Sequence, residues 1–502
     1  MSRSFESDHS AADGLTALNA RVRKDLELLC RPPANWVPPR QTVGQPVVDV
    51  VIIGGGMCGL VAAFALHSAG IRNVRIFDRN PAGYEGPWVN YARMETLRSP
   101  KQLTGPAYGI PSLTFRAWFT AQFGAAEWDA LDKIPRPMWM DYLRWYRAVL
   151  EIPVENDVNV DRILPEGDCL KLELSGSGTH DVQVFARKVI MATGRDGTGH
   201  PNIPAFVEGL PKSAWAHSSE AIDFKALKGK RVAVIGVGAS AVDNSAEALE
   251  AGAAEVRHLI RRKQMPTVNK MMGIGSFGFT AAFSRLSDAW RWRFMHYSFL
   301  TQTPSPRGST LRVSRHSNAY FHFGKGIARV THDGHELDIA MQDGSRLKTD
   351  FLILGTGFTV EPLARTELDG YADKILLWGD RYVAPAELRH SELAKFPYLA
   401  DDFAFQEREA GAAPWLSAIH CFNYGASVSL GKVSGDIPGI SEGAAWLARE
   451  IAATLYREDV EAHFAAMEAY DKPELLGDEW TETPLDPEGV DLPELKTGSD
   501  AR

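Results

Sequence analysis

Three glycines near the start of the chain have the spacing of a phosphate-binding turn. Gly54, Gly56 and Gly59 follow the apolar run 47–53 and precede a run of small and apolar residues. In such a turn the first glycine makes the bend, the second lets a pyrophosphate approach the backbone, and the third lets helix and strand pack closely. The helix N-terminus then offers free N–H groups to the phosphates. Asp78 ends the next apolar run, where a carboxylate can accept hydrogen bonds from a ribose, so we predict a dinucleotide site here.

A second turn of the same kind follows another apolar run, Val-Ala-Val-Ile. Its glycines are Gly236 and Gly238, and Ala241 takes the third position. The next strand-like run ends in a basic Arg-Arg-Lys sequence, which contains Arg261 and Arg262, where the first unit has an acid. A cation at this position suits the 2′-phosphate of NADP(H), although a solvated strand end would leave the same pattern. The second turn therefore predicts an NADPH site.

Two dinucleotide sites on one chain predict electron transfer between two dinucleotides. The acid of the first unit and the cations of the second favour FAD at the first turn and NADPH at the second. Small residues also end two further apolar runs, at 192–194 and at 355–358, and the latter run contains Gly357. We interpret these as crossing points between the two domains, where small residues allow close approach to the cofactors. An ordinary strand end is the alternative for each run taken alone.

The elements around these turns predict an α/β chain with two Rossmann-like dinucleotide-binding domains. The order along the chain makes the FAD domain discontinuous, with the NADPH domain inserted into it. We predict a FAD-binding domain over residues 45–225 and 350–468 and an NADPH-binding domain over 226–349. An N-terminal extension with a linker or wrapping arm covers 1–44, and an acidic, proline-rich tail covers 469–502 and is expected to lie on the surface or to be disordered.

Composition and charge narrow the classes of protein. The formal net charge of −9 argues against a nucleic-acid partner, because phosphate binding needs a basic face. The cysteines, Cys30, Cys58, Cys169 and Cys421, include no Cys-x-x-Cys pair, so we expect neither a dithiol site nor a metal site. The N-terminal residues lack the apolar core of a signal peptide, and no long apolar run follows. We therefore expect a cytoplasmic protein without a membrane span.

On these motifs, residues 47–450 resemble the flavin-dependent NADPH monooxygenases that have two dinucleotide-binding domains. This group contains flavin-containing monooxygenases, Baeyer-Villiger monooxygenases and N-hydroxylases of amines. The resemblance implies that NADPH reduces FAD and that the reduced flavin reacts with dioxygen to form a flavin (hydro)peroxide. It also implies that NADP stays bound while this species oxygenates a small-molecule substrate.

Individual stretches are most similar to the amine N-hydroxylases. The segment 94–119 resembles the family segment beside the flavin ring, and Lys101 matches the lysine that reaches flavin and substrate. The same resemblance directs Arg98 towards this pocket, with a structural ion pair as the alternative. Asn269 falls near a family residue that is close to NADPH and substrate, and His217 lies in a matching His-Ser-Ser stretch, where we expect it to pack against cofactor.

The resemblance implies N-hydroxylation of an amine as the reaction, with Baeyer-Villiger or sulfur oxygenation as alternatives. An NADPH-dependent flavin reductase without a stable peroxide is the alternative from outside the oxygenases. Glu95 and Lys270 depart from the N-hydroxylase pattern, which has Gln and Glu at these positions, so the substrate stays open. The sequence leaves the formation of a homo-oligomer open as well.

Overall fold

The computed structural model describes residues 9–177 and 182–482, with side chains from residue 13 onward. The predicted tail lies outside the described residues from position 483, and its described part, 469–482, contains neither helix nor strand. In the described ranges, none of the helices combines the length and apolar character needed to cross a membrane.

The helices and strands are numbered in chain order. The helices are α1 (His9–Leu28), α2 (Met57–Ser68), α3 (Phe115–Ala130), α4 (Arg136–Val149), α5 (Ala239–Glu250), α6 (Phe277–Ala282), α7 (Asp288–Thr301), α8 (Arg307–Ser314), α9 (Trp378–Arg381), α10 (Ser391–Ala394), α11 (Ser427–Leu430), α12 (Ile440–Glu458) and α13 (Val460–Glu468). The strands are β1 (Gln41–Thr42), β2 (Gln45–Ile53), β3 (Val74–Phe77), β4 (Val158–Glu166), β5 (Cys169–Gly176), β6 (Val182–Met191), β7 (Gly199–Pro201), β8 (Trp215–His217), β9 (Arg231–Ile235), β10 (Glu255–Ile260), β11 (Ala319–Phe323), β12 (Ile327–His332), β13 (Leu337–Met341), β14 (Arg346–Thr349), β15 (Phe351–Leu354), β16 (Phe358–Val360) and β17 (Ile419–His420).

The first sheet is built around β2 and β6, which run parallel and pair Val51 with Val189. Its strand order is β1-β2-β6-β5-β4, with β3 on β2 and β17 on β6. Strand β2 is buried from Val47 to Ile53, which explains why its sequence is apolar almost throughout rather than alternating. The first glycine turn follows β2 directly, so it lies at the carboxyl end of a central parallel strand.

The second sheet is parallel throughout, in the order β11-β10-β9-β15-β8. Its core is formed by Val232, Val234, Ala246, Val256 and Ile353. The chain leaves β9 towards β10 on one side, while β15 lies on the other, so the strand order reverses between β9 and β15. Ligands of open parallel sheets bind at the carboxyl ends of the strands at such a reversal. The second glycine turn and the run 355–358 both begin there.

Two smaller sheets connect these parts. Strands β12, β13 and β14 form an antiparallel sheet between β11 and β15 in the chain. Strands β7 and β16 form an antiparallel pair in which His200 faces Thr359. This pair joins the segment that follows 192–194 to the residues directly after Gly357.

The predicted α/β class with two Rossmann-like units is confirmed. Strands of the second sheet come from residues 215–354, whereas the first sheet takes strands from both before and after that range. The described chain divides between Leu455 and Tyr456 into two compact units, of which the first contains both sheets and the second contains α13. The domain boundaries given above stay a prediction.

Helix α1 is the longest element of the predicted N-terminal extension, and it is packed rather than free. Leu18 and Val22 are buried in the core around the first sheet. An ideal Cβ atom on Gly14 would lie only 1.8 Å from the carbonyl oxygen of Ala121 in α3. The backbones of the two helices therefore touch, and the extension belongs to the folded unit.

Candidate active site

The first glycine turn is sterically closed around two of its glycines. Gly54 has φ 104°, and an ideal Cβ there would lie 2.5 Å from the carbonyl oxygen of Ala192. An ideal Cβ on Gly59 would lie 1.8 Å from the carbonyl oxygen of Gly54. Side chains at these positions would collide with backbone, which cannot move aside cheaply. Gly54 also places the turn against 192–194, the first of the two crossing points.

A cavity of about 320 Å³ lies beside this turn. It is lined by Gly55, Gly56, Leu60, Ala82, Gly83, Glu85, Met140, Leu143, Arg144 and Arg147. Arg147 pairs with the buried Glu85 at 2.8 Å, while the exposed Arg144 donates to the carbonyl oxygen of Gly83 at 2.6 Å. Sequence reasoning missed both arginines because they belong to α4, and only tertiary packing brings α4 to the turn.

Asp78 lies at the first turn and braces it. Its Oδ2 accepts from the N–H of Gly55 at 2.8 Å, and its Oδ1 accepts from the N–H of Asn80 at 2.8 Å. The carboxylate is almost completely buried. It therefore fixes the backbone of the turn, and a contact with a ribose stays a prediction.

The packing of the second turn explains why Ala241 can take the third position. Gly236 has φ 120°, and an ideal Cβ there would lie 2.3 Å from the carbonyl oxygen of Gly355. Ala241 faces Gly355 as well, because an ideal Cβ on Gly355 would lie 2.4 Å from the Cβ of Ala241. The third position can hold a methyl group because the facing residue has no side chain. Gly238 is the N-cap of α5, and no side chain in the described ranges caps this helix.

His258 of β10, which sequence reasoning missed, stabilises the second turn. The imidazole is buried, with Nδ1 3.3 Å from the carbonyl oxygen of Gly236 and Nε2 against the hydroxyl of Ser245. The ring also stacks on Phe321 at a centroid distance of 5.2 Å. Burial lowers the pKa of His258 from 6.5 to about 4, so the neutral ring holds the turn.

We expect His258 to make the free energy of unfolding decrease as the pH is lowered. The pKa of the folded state lies below that of the unfolded chain, so unfolding takes up a proton between pH 6.5 and about pH 4. The contribution of His258 is fully present above pH 6.5 and is lost as the pH falls towards 4, with a total of about 3 kcal/mol. Denaturant unfolding at several pH values should show a smaller loss over this range for His258→Asn than for the natural chain. His335→Asn, at an exposed histidine, is the control, and an unchanged slope in His258→Asn would contradict the prediction.

His217, at the end of β8, contacts the second crossing segment, 355–358. Its Nδ1 accepts from the N–H of Ser219 at 3.2 Å, so Nε2 carries the proton and donates to the carbonyl oxygen of Gly357 at 2.9 Å. Burial lowers the pKa of His217, which favours this neutral form. The ring also meets Phe358 edge to face at 5.7 Å. His217 thus fixes the turn at Gly357, and a direct contact with cofactor stays a prediction.

Asn423, also missed from sequence, is a buried hydrogen-bonding centre at the first crossing point. Its Nδ2 donates to the carbonyl oxygen of Met191 at 3.0 Å and to the hydroxyl of Thr193 at 3.2 Å. Its Oδ1 accepts from the hydroxyl of Thr198 at 2.7 Å and from the N–H of Gly425 at 2.8 Å. One amide therefore connects the end of β6 with the segment that leads to α11.

The ammonium of Lys101 is engaged by backbone carbonyls at the end of α3. Its ammonium donates to the carbonyl oxygens of Trp128 and Leu131 at 2.5 Å each, and to that of Asp129 at 3.3 Å. These carbonyls end α3, where the helix dipole favours a cation. We therefore propose that Lys101 caps α3, in place of the expected contact with flavin and substrate.

A matched pair of variants tests this role. We expect Lys101→Met to lower the free energy of unfolding by about 2 kcal/mol, because three carbonyl oxygens at the end of α3 lose a charged donor. Turnover per folded molecule should change by less than about twofold, because a lysine that caps α3 does not contact the substrate. A tenfold change would correspond to about 1.4 kcal/mol. Lys101→Arg keeps a cation and should restore stability. A large loss of turnover at unchanged stability would instead support the role that the resemblance implied.

Arg98 lies between the two turns. Its Nη2 donates to the carbonyl oxygen of Pro304 at 2.6 Å. Burial lowers the pKa of Arg98, while two acidic neighbours act against that shift, Asp243 of α5 and Asp436. The thiol of Cys58, the second residue of α2, donates to the carbonyl oxygen of Ser434 at 3.5 Å, so the segment that contains Asp436 lies near the first turn. Arg98 is thus within electrostatic reach of both glycine-turn units.

The remaining predicted residues follow β10 in the chain. Arg262 is half-buried and its Nε donates to the side chain of Gln302 at 2.9 Å, whereas Arg261 is exposed. The Oδ1 atom of Asn269 is buried and accepts no hydrogen bond within the described residues. A buried polar atom of this kind calls for a partner, such as a bound ligand. The structure therefore brings Arg98, Arg262 and Asn269 to the inserted unit's side and leaves Lys101 at α3.

The four cysteines form no disulfide, and only Cys30 is exposed. The described part of the chain contains no group of three or more histidine, cysteine, aspartate or glutamate side chains that could hold a metal ion. Neither a dithiol nor a metal centre is therefore available among these residues to explain the geometry at the turns.

Comparison with known proteins places this geometry in a family. A model of the pyridine nucleotide-disulphide oxidoreductase family matches residues 51–273. The chain is 38% identical over 470 residues to the FAD-dependent urate hydroxylase of Xanthomonas campestris pv. campestris. The aligned region covers 92% of this chain and 98% of that protein.

Solved structures share the fold at lower identity. The ornithine hydroxylase of Pseudomonas aeruginosa superposes with a TM-score of 0.63 at 16% identity, over 82% of this chain and 99% of that one. The L-lysine 6-monooxygenase of Pseudomonas syringae gives 0.62 at 17% identity, over 82% and 99%. The Kutzneria ornithine N-hydroxylase gives 0.61 at 18%, over 82% and 100%. The predicted relationship is confirmed: this chain is an oxidoreductase that belongs to the family of flavin-dependent monooxygenases that includes the Xanthomonas urate hydroxylase.

Proposed function

We propose that this chain is an NADPH-dependent FAD monooxygenase that hydroxylates a planar, nitrogen-rich heterocycle of the urate type. The observation that carries the proposal is the pair of glycine turns, each at the carboxyl end of a parallel sheet and joined through the crossing points 192–194 and 355–358. The 38% identity to a protein named as a urate hydroxylase supports the substrate class.

The first turn fits the pyrophosphate of FAD. Gly56 is the N-cap of α2, and no side chain of the described residues caps the free N–H groups that follow. An ideal Cβ on Gly56 would have its nearest neighbours 3.7 Å away, in Gly86, so the approach to the backbone is open. The adjoining cavity supplies Arg144, whose cation would balance the phosphate charge. Asp78 at the end of β3 would accept hydrogen bonds from the ribose.

The second turn fits NADPH in the same way. The uncapped N-terminus of α5 would receive the pyrophosphate at Gly238. Arg262 and Arg261 follow β10, where the 2′-phosphate of NADPH would lie. Guanidinium groups suit a phosphate dianion because they offer several donors in one plane. Asn269 would give its unpartnered Oδ1 to the nicotinamide or to the substrate.

When bound and reduced, FAD supplies the electrons that activate dioxygen for transfer of one oxygen atom to the substrate. The reaction consumes one NADPH, one proton and one dioxygen for each hydroxylated product, and the second oxygen atom leaves as water. The chain's own part is to bind the two dinucleotides, to orient them through the crossing points, and to exclude bulk water. Arg98 lies between the turns, where its cation would stabilise negative charge near the substrate.

Amine N-hydroxylation was the reaction implied by the sequence resemblance. That expectation depends in part on Lys101, whose ammonium is engaged at α3. The solved N-hydroxylases are 16–18% identical to this chain, a level that concerns the fold alone. Amines are therefore included in the test as competitors to urate-type substrates.

The test uses the purified full chain. We expect a bound flavin spectrum, and oxidation of NADPH that is faster with urate than without it, with one dioxygen consumed per product found by mass spectrometry. The panel contains urate, related purines, ornithine, lysine and cadaverine. Absence of flavin would overturn the cofactor assignment. Turnover with an amine but not with any purine would overturn the substrate class.

Substitutions at the basic residues that follow β10 test the preference for NADPH over NADH. We expect Arg261→Ala combined with Arg262→Ala to raise the KM for NADPH on the order of 100-fold, because two charge-assisted contacts to a phosphate are lost. The KM for NADH should change little. Arg23→Ala, at an exposed arginine of α1, is the matched control. Equal effects on NADPH and NADH would contradict a 2′-phosphate site.

A further inference from the structure

A short strap crosses the second turn. It consists of residues 302–306, Gln-Thr-Pro-Ser-Pro, and it connects α7 to α8. Gln302 ends α7, and its N–H donates to the carbonyl oxygen of Ser298 at 3.0 Å. Its backbone has φ 54° and ψ 139°, a combination that residues with a side chain seldom adopt. Strain of this kind is held only where the surroundings demand it, and it is common at ligand clamps.

The orientation of the Gln302 side chain follows from its neighbours. The Nε of Arg262 donates to Oε1 of Gln302 at 2.9 Å. Because a guanidinium can only donate, the amide oxygen must face Arg262 and the amide nitrogen must face away. That nitrogen lies 3.7 Å from the position of an ideal Cβ on Gly238. The side-chain amide of Gln302 therefore lies between Gly238 of the second turn and the guanidinium of Arg262.

The strap is held at its centre, and the helix that follows it is tied to α5. The carbonyl oxygen of Pro304 accepts from Arg98 at 2.6 Å, which ties the strap to the segment between the turns. Arg312 of α8 pairs with Glu247 at 3.0 Å and with Glu250 at 2.6 Å, both on α5. These contacts hold the side chain of Gln302 beside Gly238, the N-cap of α5.

These contacts place Gln302 at both phosphate positions of the proposed NADPH site. Its Nε2 donates to no group among the described residues, so its donors are available to a ligand. Arg262 keeps Nη1 and Nη2 for a phosphate while its Nε is held. We propose that Gln302 is a positioning residue for NADPH: Oε1 holds Arg262 ready for the 2′-phosphate, and Nε2 donates to the pyrophosphate beside Gly238. This inference rests on the proposed function and adds a determinant of coenzyme selectivity to it.

Equilibrium binding tests the inference without turnover. Isothermal titration calorimetry on the flavin-loaded chain measures the dissociation constants of NADP⁺ and NAD⁺. Gln302→Gly removes the amide and accepts φ 54°, so we expect unchanged or higher thermal stability. NADP⁺ should bind roughly tenfold more weakly, because it loses both the donor to its pyrophosphate and the support of Arg262 at its 2′-phosphate. NAD⁺ should weaken by less than about threefold, so the selectivity ratio falls.

Two further variants separate the two halves of the amide. Gln302→Glu keeps an acceptor for Arg262 but replaces the donor with a negative charge, so it should weaken NADP⁺ and NAD⁺ by similar factors and preserve their ratio. Thr303→Ala, in the same strap, should leave both constants unchanged. If Gln302→Gly does not fold, Gln302→Asn, which withdraws the amide by one methylene, provides the same comparison.

The outcomes distinguish the inference from the function on which it rests. A natural chain that binds neither NADP⁺ nor NAD⁺ overturns the proposed function and the inference with it. A natural chain that prefers NADP⁺, with the same preference in Gln302→Gly or Gln302→Asn, overturns the inference alone. A loss of the preference in these variants, with flavin and stability retained, supports it.

Discussion

Replacing Gly59 by alanine is expected to abolish retention of flavin and to destabilise the first unit. The added methyl group would lie 1.8 Å from the carbonyl oxygen of Gly54 and 3.4 Å from Cγ2 of Ile52. Gly54 cannot retreat, because an ideal Cβ there is already 2.5 Å from the carbonyl oxygen of Ala192. We expect a loss of about 3 kcal/mol in the free energy of unfolding, the upper part of the range for overpacked sites. The same distortion moves the N–H groups at Gly56 away from a pyrophosphate.

Two measurements check this expectation. The dissociation constant of FAD should rise on the order of 100-fold, which corresponds to about 3 kcal/mol, so the ratio of flavin to protein absorbance after purification should fall; urea unfolding should give the loss of stability. Gly308→Ala is the matched control, since an ideal Cβ there meets nothing within 4 Å and the residue lies in α8. That variant should keep its flavin and gain up to about 1 kcal/mol from helix propensity. Normal flavin binding by Gly59→Ala would contradict the claim that the turn has no room for a side chain at this position.

The second large effect is expected at Asn423. Asn423→Asp has almost the same shape, but it replaces the donor that serves the carbonyl oxygen of Met191 and the hydroxyl of Thr193 by an acceptor. A carboxylate would then face a carbonyl oxygen in a site without access to water. Burying an unpaired charge costs several kcal/mol, so we expect a loss of about 4 kcal/mol in the free energy of unfolding.

The loss should be pH-dependent, because protonation of the introduced carboxyl removes its charge. Stability of Asn423→Asp relative to the natural chain should therefore recover as the pH is lowered from 8 towards 5, a range to be followed by urea unfolding. Asn159→Asp, at an exposed amide of β4, should cost less than about 1 kcal/mol. If both variants lose the same stability, Asn423 is not the connection described above.

The parts of the site that could be predicted from sequence are local in the chain. Gly59 is required by a backbone contact within its own strand-turn-helix unit. The spacing also identifies Gly54 and Gly236, although the backbones that they approach, at Ala192 and Gly355, follow distant strands. The reason for Ala241 could not be read in the same way, because it depends on Gly355 of a distant strand. The two sheets followed from the repetition of the same local pattern.

The residues that sequence reasoning missed depend on long-range packing. His258 supports Gly236 from the neighbouring strand, and Asn423 reaches the end of β6 from far along the chain. Neither has a spacing that marks it. Lys101 shows the converse case, because its local motif is similar to that of the N-hydroxylases, while the direction of its ammonium is set by where α3 ends.

The interrupted first sheet has a consequence for synthesis on the ribosome. Strand β17 pairs Ile419 with Val189 of β6, and the whole of the second sheet is translated between these residues. Domains generally fold as they emerge, in order from the N-terminus. Here the nascent first sheet must wait with the end of one β6 edge, at Val189 and Ile190, unpaired until the inserted sheet has left the exit tunnel. Translation pauses before residue 419 would prolong exposure of that edge, and this interval is when a chaperone is most needed.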